Sequence, residues 1–252
     1  ILFGMQSSTI PPLWDTIQSQ EVPLLSGWPG STFLNKKGGD MGTPKDVSDD
    51  EWVWRTVPSD TNKNIGAAYW LQEDQGYDSI SFLHGSTQGE SSNYGAMKEA
   101  WKSLGGSVNH DVQFRRGQGN FQSELTQIFE NDPGDVVFFA AASTSFTTIM
   151  KQFDQLGYTN TDAQIFANAG VVNDSYLGEN WQPYLEGIIG TISSPGGPNQ
   201  KQFTEMYSEF TDKSPNLWTY GQWDSCIIGA LAMVRAKRDY DEITRTTIEK
   251  GI

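Results

Sequence analysis

The sequence predicts an α/β fold built on parallel sheets, and three observations carry that expectation. From Trp52 onward, short β-rich runs alternate with segments of helical period, which is the pattern of consecutive βαβ units. Val136-Val137-Phe138-Phe139 is continuous and apolar, as a strand covered on both faces must be. Glycine, proline and asparagine mark the joins, as at Gly105-Gly106 and Asn131-Asp132-Pro133-Gly134.

Taken in order, Ile1-Leu2-Phe3 reads as a first strand, and Pro23-Leu24-Leu25 leads a second into Ser26-Gly27-Trp28-Pro29-Gly30-Ser31-Thr32. Asn35 to Asp50 is polar and contains glycines, a surface excursion. Ser79 to Leu83 is the next strand, followed by a helix with Tyr94, Met97, Trp101 and Leu104 on one face. Ser107 to Phe114 is a strand, and Phe121, Leu125, Ile128 and Phe129 stripe the helix after it. Behind Val136–Phe139 comes a helix with Phe146, Ile149, Met150 and Phe153, ended by Gly157. Gln164 to Ala167 and Gly187 to Ile192 are further strands. Three helices close the chain: Phe203/Met206/Tyr207/Phe210, about Trp218 to Ala236, and Tyr240 to the end. The segments Arg55 to Asp60 and Pro195 to Pro198 have the turn chemistry of domain crossings. The chain opens inside an apolar run and closes in a helical pattern, so further structure is expected at both ends.

Composition bounds the function. The 252 residues carry 31 Asp and Glu against 17 Lys and Arg, an excess of 14 negative charges with the two histidines neutral. Nucleic acids are bound by clustered Lys and Arg, so no nucleic-acid partner is expected. Nine Trp, nine Tyr and thirteen Phe make 12% aromatics, far from the composition of a disordered acidic chain. The acidity fits either a surface hydrated in high salt or ordinary solubility. One cysteine, Cys226, excludes an internal disulfide and any Cys-based zinc site. His84 and His110 form no H-x-x-x-H pair, so no metal or other cofactor is expected. The longest apolar candidate, Cys226 to Val234, is far short of the ~20 residues a membrane span needs. It reads as a core helix with Cys226 a small buried thiol.

Signatures of catalysis are absent: no G-x-S-x-G elbow, Walker A, G-x-G-x-x-G or H-E-x-x-H. His84 ends a strand, where α/β sites lie, and reads as a structural or ligand-contacting residue rather than a base. An α/β hydrolase using His84 is the remaining enzymatic alternative. What accumulates at strand carboxyl ends is small and hydroxylated: Ser7-Ser8-Thr9, Ser26 to Thr32, Ala142-Ser143-Thr144-Ser145 and Asn168-Ala169-Gly170. Such residues bring N–H and O–H groups close to a small ligand, with Trp28 and Tyr94 available as walls.

In this order the residues resemble the type I solute-binding proteins of ABC importers, leucine/isoleucine/valine branch. The resemblance rests on Ser7-Ser8-Thr9 with Pro23 to Gly27, on Trp54 to Asp60, on Tyr94-Gly95 with Leu104-Gly105-Gly106 and Gly119-Asn120-Phe121, and on Trp223-Asp224-Ser225 before a long helix. It implies two Rossmann-like α/β lobes with parallel sheets, the type I periplasmic-binding-protein architecture. Lobe 1 would be 1–57 with 195–252, lacking an N-terminal portion that precedes Ile1, and lobe 2 would be 58–194.

The implied function is non-enzymatic capture of an amino acid, amide or organic acid outside the membrane, periplasmic or at the cell surface with a possible lipid anchor, for delivery to an ABC importer permease. A receptor's ligand-sensing domain of the same fold is the alternative. Carried over, Ser7, Ser8, Ser26, Gly27, Trp28, Gly30 and Ser31 hold the ligand from lobe 1, and Tyr94, opening its helix, from lobe 2. A second family tyrosine falls at Ala142 or Ser143, and the acid that pairs with a ligand ammonium at Ala169, beside Asn168. Both are replaced, so either Glu90 or Asp224 meets the ammonium or the ligand has none. Asn173-Asp174-Ser175 is a glycosylation triplet.

Overall fold

The computed structural model describes residues 1–35, 52–171, 182–194 and 196–252. The expected excursion beyond Asn35, the triplet Asn173-Asp174-Ser175 and Pro195 lie outside them. The chain divides into two compact units, Ile1–Ser59 with Ser193–Ile252 (unit 1) and Asp60–Ile192 (unit 2).

Unit 1 begins with β1 (Leu2–Phe3), α1 (Ile10–Ser19), β2 (Leu24–Ser26), α2 (Thr32–Asn35) and β3 (Val53–Arg55). The three strands pair in parallel in the order β1-β2-β3. Ile10, Ile17, Leu24, Leu34, Trp52 and Val53 form the core beneath them.

Unit 2 runs α3 (Asp60–Tyr69) into a π-helical turn, Trp70–Asp74, then β4 (Ser79–His84), α4 (Gln88–Ser103), β5 (Ser107–Gln113), α5 (Gln122–Phe129), β6 (Val136–Ala140), α6 (Ser143–Gln155), β7 (Gln164–Ala167), α7 (Gln182–Leu185) and β8 (Ile189–Gly190). All pairings are parallel and the order is β5-β4-β6-β7-β8. Strand period divides the core in two. Ile80, Phe82, Val136 and Phe138 pack with Ala68, Leu71, Met97 and Trp101 of the α3–α4 layer. Leu83, Val137 and Phe139 face Leu125, Ile128, Phe146, Ile149 and Phe153 of the α5–α6 layer. Continuous apolarity from Val136 to Phe139 is therefore burial on both faces.

The chain returns to unit 1 as α8 (Gln200–Thr211), α9 (Leu217–Tyr240) and α10 (Arg245–Glu249). Several sequence expectations are corrected here. Tyr240 ends α9 rather than opening the next helix, because no breaker interrupts it until Asp241 takes a left-handed φ of 57°. Cys226 is exposed, not buried. The stretch Cys226 to Val234 is not core either, since α9 buries Gly221, Ser225, Gly229, Ala232 and Ala236 and leaves Leu231 and Val234 62% and 66% exposed. Close approach selects that small face: a Cβ on Gly229 would lie 2.8 Å from the Phe3 ring. Leu104, Met206 and Phe210, expected on buried stripes, are exposed as well. The strand expected over Gly187 to Ile192 is confined to β8.

Candidate functional site

In a doubly wound sheet the ligand crevice lies at the carboxyl ends of the strands where the winding reverses. In unit 2 that point falls between β4 and β6, because the chain goes first to β5 on one side of β4 and then to β6 on the other. The loops there, 85–87 and 141–142, are tied by Glu90. Its Oε2 accepts from the Thr87 amide at 2.9 Å and the Thr87 hydroxyl at 2.6 Å, and its Oε1 accepts from the Ala142 amide at 2.9 Å. The carboxylate is 4% exposed and lies at the N-termini of α4 and α6, where negative charge is favoured. Gly85 makes room for it, since a Cβ there would come within 2.2 Å of Glu90 Oε2. Glu90 thus serves the backbone, and the expectation that it could meet a ligand ammonium is not met by this geometry. Next along the sheet, Asn168 Oδ1 accepts from the Ala141 amide at 3.1 Å, while Ala169 is buried in a short 3-10 turn and Ser143 opens α6.

On the β4–β5 side a second cluster forms. The Tyr94 hydroxyl donates to Asp111 Oδ2 at 2.6 Å and accepts from Lys98 Nζ at 2.8 Å, and Lys98 itself reaches Asp111. The His84 ring stacks on Tyr94 with centroids 3.6 Å apart and 6° between planes. Its Nδ1 faces the Gly85 carbonyl at 3.2 Å and its Nε2 faces Asp111 at 3.3 Å. Burial holds the imidazole below the ordinary histidine value, against the pull of the Gly85 carbonyl and Asp111. Partial burial works against ionising Asp111, but the donors Lys98 and Tyr94 outweigh it and hold the carboxyl below its usual range. Burial, then the bond to Asp111, raises the Tyr94 phenol. Tyr94 sits in the second turn of α4 rather than opening it. The ring nitrogens of His84 thus face a backbone carbonyl and a carboxylate, those of Gly85 and Asp111.

Unit 1 fixes its loops differently. Ser26 is fully buried: its hydroxyl donates to the Met5 carbonyl at 2.8 Å and accepts from the Trp28 amide at 3.4 Å and Gln222 Nε2 at 3.3 Å. That joins the loops after β1 and β2. Gly27 meets α9 backbone to backbone, and a Cβ there would fall 2.1 Å from the Gly221 carbonyl carbon. Thr56 donates to the Gly221 carbonyl at 2.7 Å, and Arg55 Nη1 to the buried Ser31 carbonyl at 3.1 Å. Trp28, half-buried, stacks on half-buried Trp218 with centroids 5.8 Å apart and planes 29° apart, and Gly30 beside it is half-buried. Ser7 and Ser8 lie in the turn before α1, and among the described residues their amides and hydroxyls have no partner. Asp224 is two residues beyond Gln222, hence about 200° round the helix from the side that reaches Ser26. Desolvation raises its carboxyl above the usual range.

Sequence reasoning missed Asp111, Trp218 and Gln222, each of which reaches the loops from a distant element. The capping spacing of Thr87 and Glu90 was readable, whereas Glu90's contact with Ala142, 52 residues away, was not.

Among the described residues no helix is long and apolar enough to cross a membrane. Several solved structures share the fold. A leucine-binding protein of Thermotoga maritima is 19% identical with a TM-score of 0.78, the match covering 99% of this chain and 67% of that one. A solute-binding protein of an ABC transporter from R. palustris in complex with benzoate is 12% identical at 0.78, covering 99% and 65%. A fatty acid ABC transporter substrate-binding protein of Thermomonospora curvata is 15% identical at 0.76, covering 99% and 61%. The chain thus spans about two thirds or less of the length of these neighbours. No curated protein matches it. A family model described as periplasmic binding protein matches residues 1–251, and with parallel strands ending in hydroxyl-bearing and glycine loops in both units, the chain belongs to that family.

Proposed function

We propose that the chain captures a small polar or amino-acid-like solute outside the cytoplasm and hands it to the permease of an ABC importer. The observation that carries this reading is the pair of pinned loop sets at strand carboxyl ends, 5–9 with 27–31 in unit 1 and 85–87 with 141–142 in unit 2. The family and the neighbours, which include proteins named for leucine, benzoate and fatty acid, support it. Ser7, Ser8, Trp28 and Gly30 supply donors and an apolar wall, held by Ser26, Gly27 and Ser31. Tyr94, Asn168 and the backbone at Ala142, Ser143 and Ala169 answer from the other lobe.

The lobes, 1–57 with 195–252 and 58–194, close on the solute, because only a closed state makes both sets of contacts. Calorimetry against a panel of amino acids, amides and organic acids tests capture, and scattering at saturation tests closure. A bound solute with no loss in radius of gyration would sink the two-lobed mechanism. Absence of binding across the panel would sink the reading itself.

A further inference from the structure

Away from its strand-end loops, unit 1 carries an aromatic groove between α8 and α9. We propose that this groove is a second binding site, for a small organic cation that bears a methylated ammonium group. The site goes beyond the solute-binding reading above and does not depend on it.

The groove follows from the spacing of residues on the two helices. Phe203, Met206, Tyr207 and Phe210 recur three and four positions apart along α8 and so share one face. Trp223 of α9 closes against them, its ring centroid 5.0 Å from that of Phe203 with 37° between planes. Tyr207 lies 5.8 Å from Phe203 on the same helix, with 44° between planes. Rings tilted in this way splay instead of stacking flat, and together with Glu209 these residues line a cavity of 490 Å³, the size of a small-molecule site. Its floor is preformed: Phe203 is buried and also packs on Tyr220, whose hydroxyl is 2.9 Å from that of Thr204. Trp223 follows Gln222, so it is turned about 100° round the helix from the side that reaches Ser26, and the groove occupies a different face of α9 from the loop contacts.

Charge selects a cation. Among the described residues that line the groove, the only charge is the Glu209 carboxylate, and none is a lysine or arginine. Lys201, at the start of α8, lies 3.8 Å from Glu205. Asp224, beside Trp223 on α9, adds a second carboxylate next to the groove and takes part in no described hydrogen bond or ion pair. The faces of aromatic rings attract a cation within about 6 Å, the indole most strongly. A bare ammonium holds its water too firmly to enter an apolar lining, whereas methyl groups spread the charge over apolar surface and fill the space between rings. An anion would meet Glu209 and the chain's excess of 14 negative charges. A neutral group of the same shape gains the burial but not the attraction of the ring faces and the carboxylate.

Calorimetry on the whole chain tests the assignment with choline against 3,3-dimethylbutan-1-ol, which has the same shape without the charge, and against 2-aminoethanol, which has the charge without the methyl groups. Choline is expected to bind about tenfold tighter than either. Phe210 is 91% exposed, so Phe210→Ala removes a wall of the groove without disturbing the core, and it should weaken choline severalfold. Trp223→Leu should abolish the advantage of choline over the alcohol, whereas Trp223→Phe, which keeps a ring, should retain most of it. Glu209→Gln should weaken choline and make the remaining binding less sensitive to salt. Absence of choline binding overturns the proposal, and so does the alcohol matching choline or an affinity unchanged in both Phe210→Ala and Trp223→Leu. Attachment to phosphatidylcholine vesicles without binding of free choline would also overturn it. Displacement of choline by a solute of the calorimetric panel would move the cation to the strand-end loops and sink the separate site. In each of these cases solute capture stands on its own, and a panel without a bound solute would leave the cation site standing.

Discussion

Units 1 and 2 hold their strand-end loops by opposite means. Unit 2 uses a buried carboxylate: Glu90 gathers three donors from the loops after β4 and β6. Unit 1 uses contact of backbone on backbone: Gly27 of the loop after β2 rests on Gly221 of α9, with the Ser26 hydroxyl as the shared acceptor beside it. The first device tolerates small shifts of side chains but not the loss of a charge. The second tolerates loss of polar groups but admits no added atom. The strand-end loops of the two units should therefore fail to different substitutions.

The largest effect is expected at Gly27. A side chain there must push α9 away from β2, an overpacking that costs about 3 kcal/mol. Gly27→Val should lower the stability of unit 1 by that order in chemical denaturation, with hydrogen exchange accelerated in β2 and α9 and little changed in β4 and β6. An unaltered denaturation midpoint would show that the backbone contact is not what holds this loop. Next comes Glu90→Ala, which leaves the Thr87 amide and hydroxyl and the Ala142 amide without their acceptor at a cost of about 2 to 3 kcal/mol. Added formate should recover part of that loss in the variant and none in the parent, because only the variant has a vacant place for a carboxylate. Equal salt responses of the two proteins would contradict the role given to Glu90.

The same contrast explains what the sequence discloses. Val136 to Phe139 announces its burial because a parallel strand covered on both faces needs an apolar side chain at every position. In α9 apolarity is the wrong signal. Ile227, Leu231 and Val234 are exposed, and the buried face is the row Gly221, Ser225, Gly229, Ala232 and Ala236: Gly221 and Gly229 let Gly27 and Phe3 come close, and Ala232 and Ala236 pack with Ile248 of α10. Spacing of small residues held the information that hydrophobicity did not. The Ser-rich loops were readable as strand-end loops, yet the division between Ser26, spent on the Met5 carbonyl, and Ser7 and Ser8, which keep their donors, depends on contacts that no local pattern encodes. Likewise Trp218 meets Trp28 only once α9 has packed on β2.

A smaller effect, of the other sign, lies within the unit 2 core. Ser81 is on β4 in the layer that carries Leu83, and its hydroxyl is buried with no hydrogen-bond partner among the described residues. Removing an unsatisfied hydroxyl relieves its desolvation, so Ser81→Ala should stabilise unit 2 by about 1 kcal/mol. A destabilised variant would mean that the hydroxyl is satisfied in solution.

The smallest effect separates the units by pH. Both histidines, His84 and His110, are in unit 2, and burial depresses the proton affinity of His84. In the unfolded chain its imidazole titrates near 6.5, about the ordinary value, while in the fold it resists protonation. Between those two values the unfolded state binds more protons, so stability rises with pH there. The contribution is complete above the unfolded value and is lost as pH falls through the folded one. Protonation is opposed by burial and by Lys98 and favoured by Asp111 and the Gly85 carbonyl, with the Tyr94 ring stacked on the imidazole, so the loss is partial. Asp111 behaves in the same sense at a lower pH: its depressed carboxyl supports the fold above about 3.9, the usual aspartate value, and ceases to as the solution is acidified further. Unit 2 should therefore weaken between pH 7 and 5 while unit 1 does not, seen as faster exchange in β4 and β6 than in β2. His84→Gln should flatten that slope and leave the more acidic Asp111 step in place, and a slope unchanged by the substitution would remove His84 as its source.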